Sequence, residues 1–210
     1  MPVTRMGVAS LIREKLIDAQ NYINGEKKER KLDMENLAKV LNKEIPLRVH
    51  AHRADDILTV LRIKREFDID VTIEHCTEGH HIADYIAKQD VRVSVGPTLS
   101  TRSKVELKDK NWSTVKTLMD AGVACSLTTD HPVVGIEYLV TSAIHAIRNG
   151  ITEQQALTAI TLDAAKHLGV EDRVGSIEPA KDADFVIWSG NPFELSSTVE
   201  AVYINGEAVN

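Results

Sequence analysis

The stretch RVHAHRADDI places His50 and His52 one residue apart, where an apolar strand gives way to a helix. Two more groups of the same chemical kind follow, His75 in VTIEHCTEG and Asp130 in SLTTDHPV. Neutral imidazole and carboxylate together suit a borderline divalent cation such as zinc, and a catalytic site keeps one position for water. The ion lowers the pKa of that water, and a carboxylate such as Asp130 can touch the ion and take the proton. Each residue alone has a plainer reading. A histidine at a strand end is commonly a hydrogen-bonded core residue, and an Asp before His-Pro is commonly a turn or helix cap.

The elements that carry these residues decide between the readings. Apolar residues at helical spacing from Gly7 to Ile23 predict a first helix, and a second is expected from Asp33 as N-cap to about Lys43, before Pro46. A rhythm then begins. LRVH, VTIEH, VRVSV and VACSLTTD are short β-branched runs, separated by a helix that begins at Asp55 or Asp56 and by helices over about 79–89 and 113–120, with another over 136–148. Asp55 or Asp56 is the expected cap of the helix that buries Ile57, Val60 and Leu61. Continuous apolar strands alternating with helices predict a parallel sheet covered on both faces, joined by right-handed crossovers. The strand ends His50, His75, Val95 and Asp130 fall 25, 20 and 35 residues apart, so there are four βα units in succession. Three of the four end in a potential ligand, and reactive groups gather at the carboxyl ends of parallel strands. Three ligands in phase with the strands favour a metal site. Glu74 and Thr129 read as structural neighbours.

Farther on, Thr152 to Gln155 forms a capping-box start, and a helix over Leu162–Leu168 closes at Gly169. After Gly175 the pattern becomes β, with DFVIW and a hairpin turning at Asn205-Gly206. The expected division is 1–170 for the βα body and 171–210 for the β appendage.

Composition bounds the rest. The 210 residues are 43% hydrophobic and 27% charged, with a net charge of −6. The densest basic run, Lys27 to Lys31, has Glu29 inside it and reads as a solvated turn, so no nucleic-acid partner is expected. No apolar run approaches the roughly 20 residues that span a membrane, and the first residues resemble no secretory leader. Cys76 and Cys125 read as buried thiols, and a cytoplasmic setting is expected. His80 and His81 are expected to face solvent, His145 to be structural, and His167 to sit at a helix carboxyl end. No G-x-S-x-G nucleophile motif is present.

The succession RVHAHRADDI, TIEHCTEG, SLTTDHPV and DAAKHLGVEDRVGSIEPAKDADFVIWSGNPFE resembles the amidohydrolase superfamily, closest to its imidazolonepropionase-like members. The resemblance implies a metal-dependent (β/α)8 barrel that hydrolyses C–N bonds, often of cyclic amides, followed by a β-sandwich. It gives His50 as the ligand after strand five, His75 as the ligand after strand six, and Asp130 as ligand and general base after strand eight. His52, Arg53 and His131 become candidates for lining the pocket of a small amide substrate.

The resemblance also implies an H-x-H pair after strand one and a Lys or Glu after strand four. Residues 1–46 contain no histidine. Only 158 residues follow His52, too few for a barrel of about 250, so His50-Ala-His52 is not that opening pair. The expected fold class is therefore α/β, the carboxyl-terminal half of a TIM-like barrel followed by a small β-sandwich segment. Such a half exposes two strand edges and, by expectation, an apolar inner face. A homo-oligomer or a companion chain carrying the other strands follows as the expected folded unit. The opposing reading is a non-catalytic fragment or pseudoenzyme acting as an assembly partner.

Overall fold

In the computed structural model, which describes residues 2–25 and 29–209, the four βα units are present in order. A helical hairpin opens the chain, α1 (Arg5–Asn24) and α2 (Leu32–Leu41). Thr4 caps α1 by accepting from the Gly7 amide at 3.0 Å. The sheet follows: β1 (Leu47–Ala51), α3 (Ala54–Phe67), β2 (Val71–His75), a 3-10 turn into α4 (Ala83–Ile86), β3 (Arg92–Val95), α5 (Ser113–Asp120) and β4 (Cys125–Leu127). Strand order is β1-β2-β3-β4 and every pairing is parallel. Three helices close the body: α6 (Leu139–Arg148), α7 (Glu153–Ile160) and α8 (Leu162–Leu168). The Thr152–Gln155 capping box forms in full, and Gly169 ends α8 with a left-handed backbone, as the residue types led one to expect.

A separate antiparallel sheet holds β5 (Phe185–Trp188), β6 (Val199–Ile204) and β7 (Glu207–Val209). Asn205 and Gly206 both have positive φ, as a two-residue I′ turn requires.

Three expectations change. The strands are not uniformly apolar; they alternate, and the register sorts them into two rows. Val49, Ile73, Val93 and Cys125 align on one face; the last three lie in the buried core with Leu61, Leu118 and Ala146 from the helices, and half-buried Val49 packs against it. His50, Glu74, Ser94 and Ser126 align on the other, with Arg48, Thr72 and Arg92 beside them. The inner face is therefore polar, not the apolar surface expected. Glu74 accepts from Arg48 at 3.0 Å and bonds His167 Nε2 at 2.8 Å, while Arg92 donates to the Lys166 carbonyl. Burial acts to raise the Glu74 pKa, but the bonds from His167 and Arg48 outweigh it and hold the group below its ordinary value. His167 lies in the last turn of α8, as expected, and is buried where it meets Glu74.

Second, α3 is capped by Arg53 in extended conformation, not by Asp55 or Asp56. Both aspartates lie in the first turn, where they complement the helix dipole, and the Ala54 amide is met by Glu78 at 2.9 Å. Third, the helix expected over 79–89 is a 3-10 turn and one short α segment. His80 there is half-buried and pairs with Thr114 Oγ1 at 2.9 Å; His81 is exposed, and His145 stacks on Trp112. Lys27 and Lys28 of the basic run lie outside the described residues, while Arg30 pairs with Glu35 at 2.8 Å. No helix among the described residues is long and apolar enough to cross a membrane.

Ile73 is fully buried at the centre of the apolar row. Its replacement by alanine is expected to cost about 2–5 kcal/mol in urea unfolding. A loss well under 1 kcal/mol would contradict a close-packed centre at β2.

Candidate metal centre

Three histidines meet at the carboxyl edge of β1 and β2. The ring centroids of His50 and His52 are 4.6 Å apart, those of His50 and His75 4.3 Å, and those of His52 and His75 4.6 Å. One ligand nitrogen from each can be chosen so that all lie within 4.8 Å of one another. His50 and His52 share a side because residues i and i+2 of an extended segment do. Strict alternation would send His75 to the face of Val71 and Ile73. Its backbone instead turns left-handed, φ 72°, followed by Cys76 at 45°, and the ring joins the other two.

Hydrogen bonds fix two of the rings. His75 Nδ1 lies 2.7 Å from the Gly96 carbonyl, which can only accept, so Nδ1 donates there and Nε2 is the nitrogen left to face an ion. His52 Nδ1 lies 2.7 Å from Thr77 Oγ1. Burial, with His75 and His50 alongside, pushes His52 down to about 3. Burial and the His75 ring also hold His50 below its ordinary value. Both are neutral near neutral pH, the form that binds metal. Three imidazoles in mutual reach, one oriented by a backbone acceptor, fit a divalent ion.

Gly96 is the support beneath His75. Its φ is +140°, and a Cβ there would fall 2.0 Å from the Thr128 carbonyl, so only glycine lets β3 and β4 approach. The following loop is gathered by buried Lys110, whose Nζ donates to Ser100 Oγ at 2.8 Å, to the Thr101 carbonyl at 3.1 Å and to the Ser100 carbonyl. Burial lowers the pKa of this ammonium from its ordinary value.

A cavity of about 550 Å³ opens over His50 and His52 and is also lined by Asp130, Lys104, Lys110 and Tyr138, while His75 does not line it. β4 stops at Leu127, so Asp130 reaches the cavity from the loop beyond. Its backbone is left-handed, φ 52°, and its amide donates to Thr128 Oγ1 at 3.2 Å. Asp130 is exposed and stands outside the group of mutually reachable ligand atoms. Arg53 and His131 are not among the residues lining the cavity. Arg53 turns away to Asp55, with bonds of 2.9 and 3.0 Å, and His131 is exposed. Cys76 is sealed in the core, where burial pushes its thiol up to about 12. It has no part in the cluster. His52 enters the trio although its neighbour alone was expected to be a ligand; the i, i+2 spacing on a strand was the available signal. Lys110 had none, since its partners come from loop geometry.

A parallel βα sheet with imidazoles converging at its carboxyl edge is an α/β arrangement of the barrel type with a candidate metal centre. The chain belongs to the Amidohydrolase family, whose model matches residues 26–209. It is 26% identical over 184 residues to amidohydrolase tasK of Hapsidospora irregularis, covering 84% of this chain and 18% of that protein. It is 28% identical over 149 residues to imidazolonepropionase of Paracidovorax citrulli, covering 69% and 34%. A crystal structure of an amidohydrolase from Thermotoga maritima superposes with a TM-score of 0.95 at 46% identity, covering all of this chain and 57% of that one. The chain thus spans well under two thirds of each of these relatives, and its four βα units and small antiparallel sheet are part of a TIM-like barrel with its appended β element.

In long-range 1H–15N spectra His75 is expected to show the Nδ1–H tautomer, and Gly96→Ala to lose it. An Nε2–H tautomer in the wild-type chain would contradict the bond to Gly96.

Proposed function

We propose that the chain is the metal-binding portion of a metal-dependent hydrolase acting on C–N bonds other than peptide bonds, with a small amide, cyclic amides first, as substrate. The observation that carries this reading is the convergence of His50, His52 and His75 at the carboxyl edge of the sheet in a chain of this family. The imidazolonepropionases among its relatives support the cyclic class. Zinc is the metal best matched to three imidazoles.

A divalent ion held there supplies Lewis acidity and an acidified water. The chain's own residues do the rest. His75, held by Gly96, fixes the position of the ion. Asp130, facing the same cavity, takes the proton from the attacking water; the resemblance also makes it a ligand, but its place outside the trio favours the base. Lys110 keeps the loop after β3 in place. Arg53 and His131 remain candidates for contact with substrate once the barrel is closed around the cavity.

Among the described residues, the four-stranded sheet leaves one edge of β1 and one of β4 unpaired. This supports an assembly in which further strands, from additional sequence, a companion chain or a second copy, complete the barrel. Free, buried Cys76 and Cys125 support a reducing, cytoplasmic setting.

Metal analysis of the purified chain tests the reading. About one zinc per chain is expected, with loss of the metal in His50→Ala and His75→Ala and retention in Asp130→Asn. A metal-free wild-type chain that takes up no zinc would contradict it. Sedimentation at micromolar concentration is expected to show association, and a monodisperse monomer would contradict closure by a second copy.

A further inference from the structure

A second cavity, of about 520 Å³, opens between the loop after β3 and the start of α5. It shares Ser100, Thr101 and Lys110 with the cavity over His50 and His52. Leu99 lines only that one and Thr98 only this one, so the loop separates the two. Arg102, Asn111 and Trp112 complete the lining. None of the described residues that line it is acidic.

The charge of this lining is unbalanced. Lys110 is only 8% exposed, and lysine is seldom buried without an acid beside it. Its ammonium donates to Ser100 Oγ at 2.8 Å, to the Thr101 carbonyl at 3.1 Å and to the Ser100 carbonyl. These acceptors satisfy its protons, but they are neutral and leave the charge uncompensated. Arg102 brings a second positive charge. Its Nη2 donates to the Lys110 carbonyl at 2.7 Å, and its charge presses on the ammonium. Among the described residues neither cation has an acid as partner, and Asp109, next in sequence, pairs with Lys108 at 3.7 Å. A guanidinium carries five N–H donors, and Arg102 uses one of them within the chain. The hydroxyls of Thr98 and Thr101 bond to no other described residue. Two cations gathered around one cavity oppose each other unless an anion joins them.

We propose that this cavity is an oxyanion site, which takes the carboxylate or phosphate group of a small molecule against Arg102 and Lys110. Arg102 supplies the planar fork that meets two oxygens at once. Thr98 and Thr101 add hydroxyl donors. Lys110 supplies charge from the base of the cavity and keeps its bonds to the loop. Trp112, stacked on His145 with ring centroids 4.8 Å apart, gives the rest of the molecule a flat apolar wall. The inference does not rest on the metal centre, since no histidine lines this cavity among the described residues.

Titration of the metal-free full chain with inorganic phosphate, and separately with acetate, tests this in 1H–15N spectra. Without metal, no bound ion can take the anion. At least one probe is expected to shift the Trp112 indole signal saturably, and the tighter one names the group. Arg102→Gln should weaken that binding by about tenfold or more, with partial recovery in Arg102→Lys. Lys104→Gln, whose side chain lines only the other cavity, should leave it unchanged. Equal weakening in Lys104→Gln and Arg102→Gln would overturn the site, because it reports a general attraction of anions to the loop. A Trp112 signal unmoved by either probe would overturn it too, and would leave the three-histidine centre standing.

Discussion

The site depends on one hydrogen bond, from His75 Nδ1 to the Gly96 carbonyl across the ends of β2 and β3. It engages Nδ1 of His75 and leaves Nε2 to face the cavity side, while the left-handed backbone at His75 brings the ring to the side of His50 and His52. The acceptor is in place only because Gly96 carries no Cβ against Thr128. Lys110 then ties down the loop that leaves Gly96. A strand end, a glycine and a buried ammonium thus act in sequence on one imidazole, which is how supporting residues tune a metal ligand.

The sheet beneath is two-sided. Its apolar row packs into the helices and supplies the stability that holds the rings in place, by burial of side chains such as Ile73 and Val93. Its polar row, Arg48, Glu74 and Arg92, is tied to α8 through His167 and the Lys166 carbonyl. His167 Nδ1 is buried there without a partner. Buried polar rows of this kind carry a cost when incompletely paired, so the inner face specifies a packing more than it stabilises one.

Much of this was legible in the residues. The βα rhythm, the capping box at Thr152 and the turn at Asn205-Gly206 rest on local rules, and all three formed. His50, His75 and Asp130 could be picked out because they follow strands in phase. What was not legible depends on contacts distant in sequence or on backbone that departs from regularity. The polar inner face was written in L-R-V-H and V-T-I-E-H, but β-branched richness masked the alternation. Counting strands separates His52 from His50, whereas the i, i+2 spacing of the two places them on the same side. Lys110 lies 10 residues from Ser100 in a loop with no periodicity, and only the fold brings the two within 2.8 Å.

The central claim is that three imidazoles of this chain converge on one ion. X-ray absorption at the zinc edge of the zinc-loaded chain reads this directly. The expected spectrum has three imidazole ligands at about 2.0–2.1 Å with their outer-ring scattering, and one imidazole fewer in His52→Ala. A first shell of oxygen alone, without imidazole scattering, would contradict the convergence of His50, His52 and His75 on a metal.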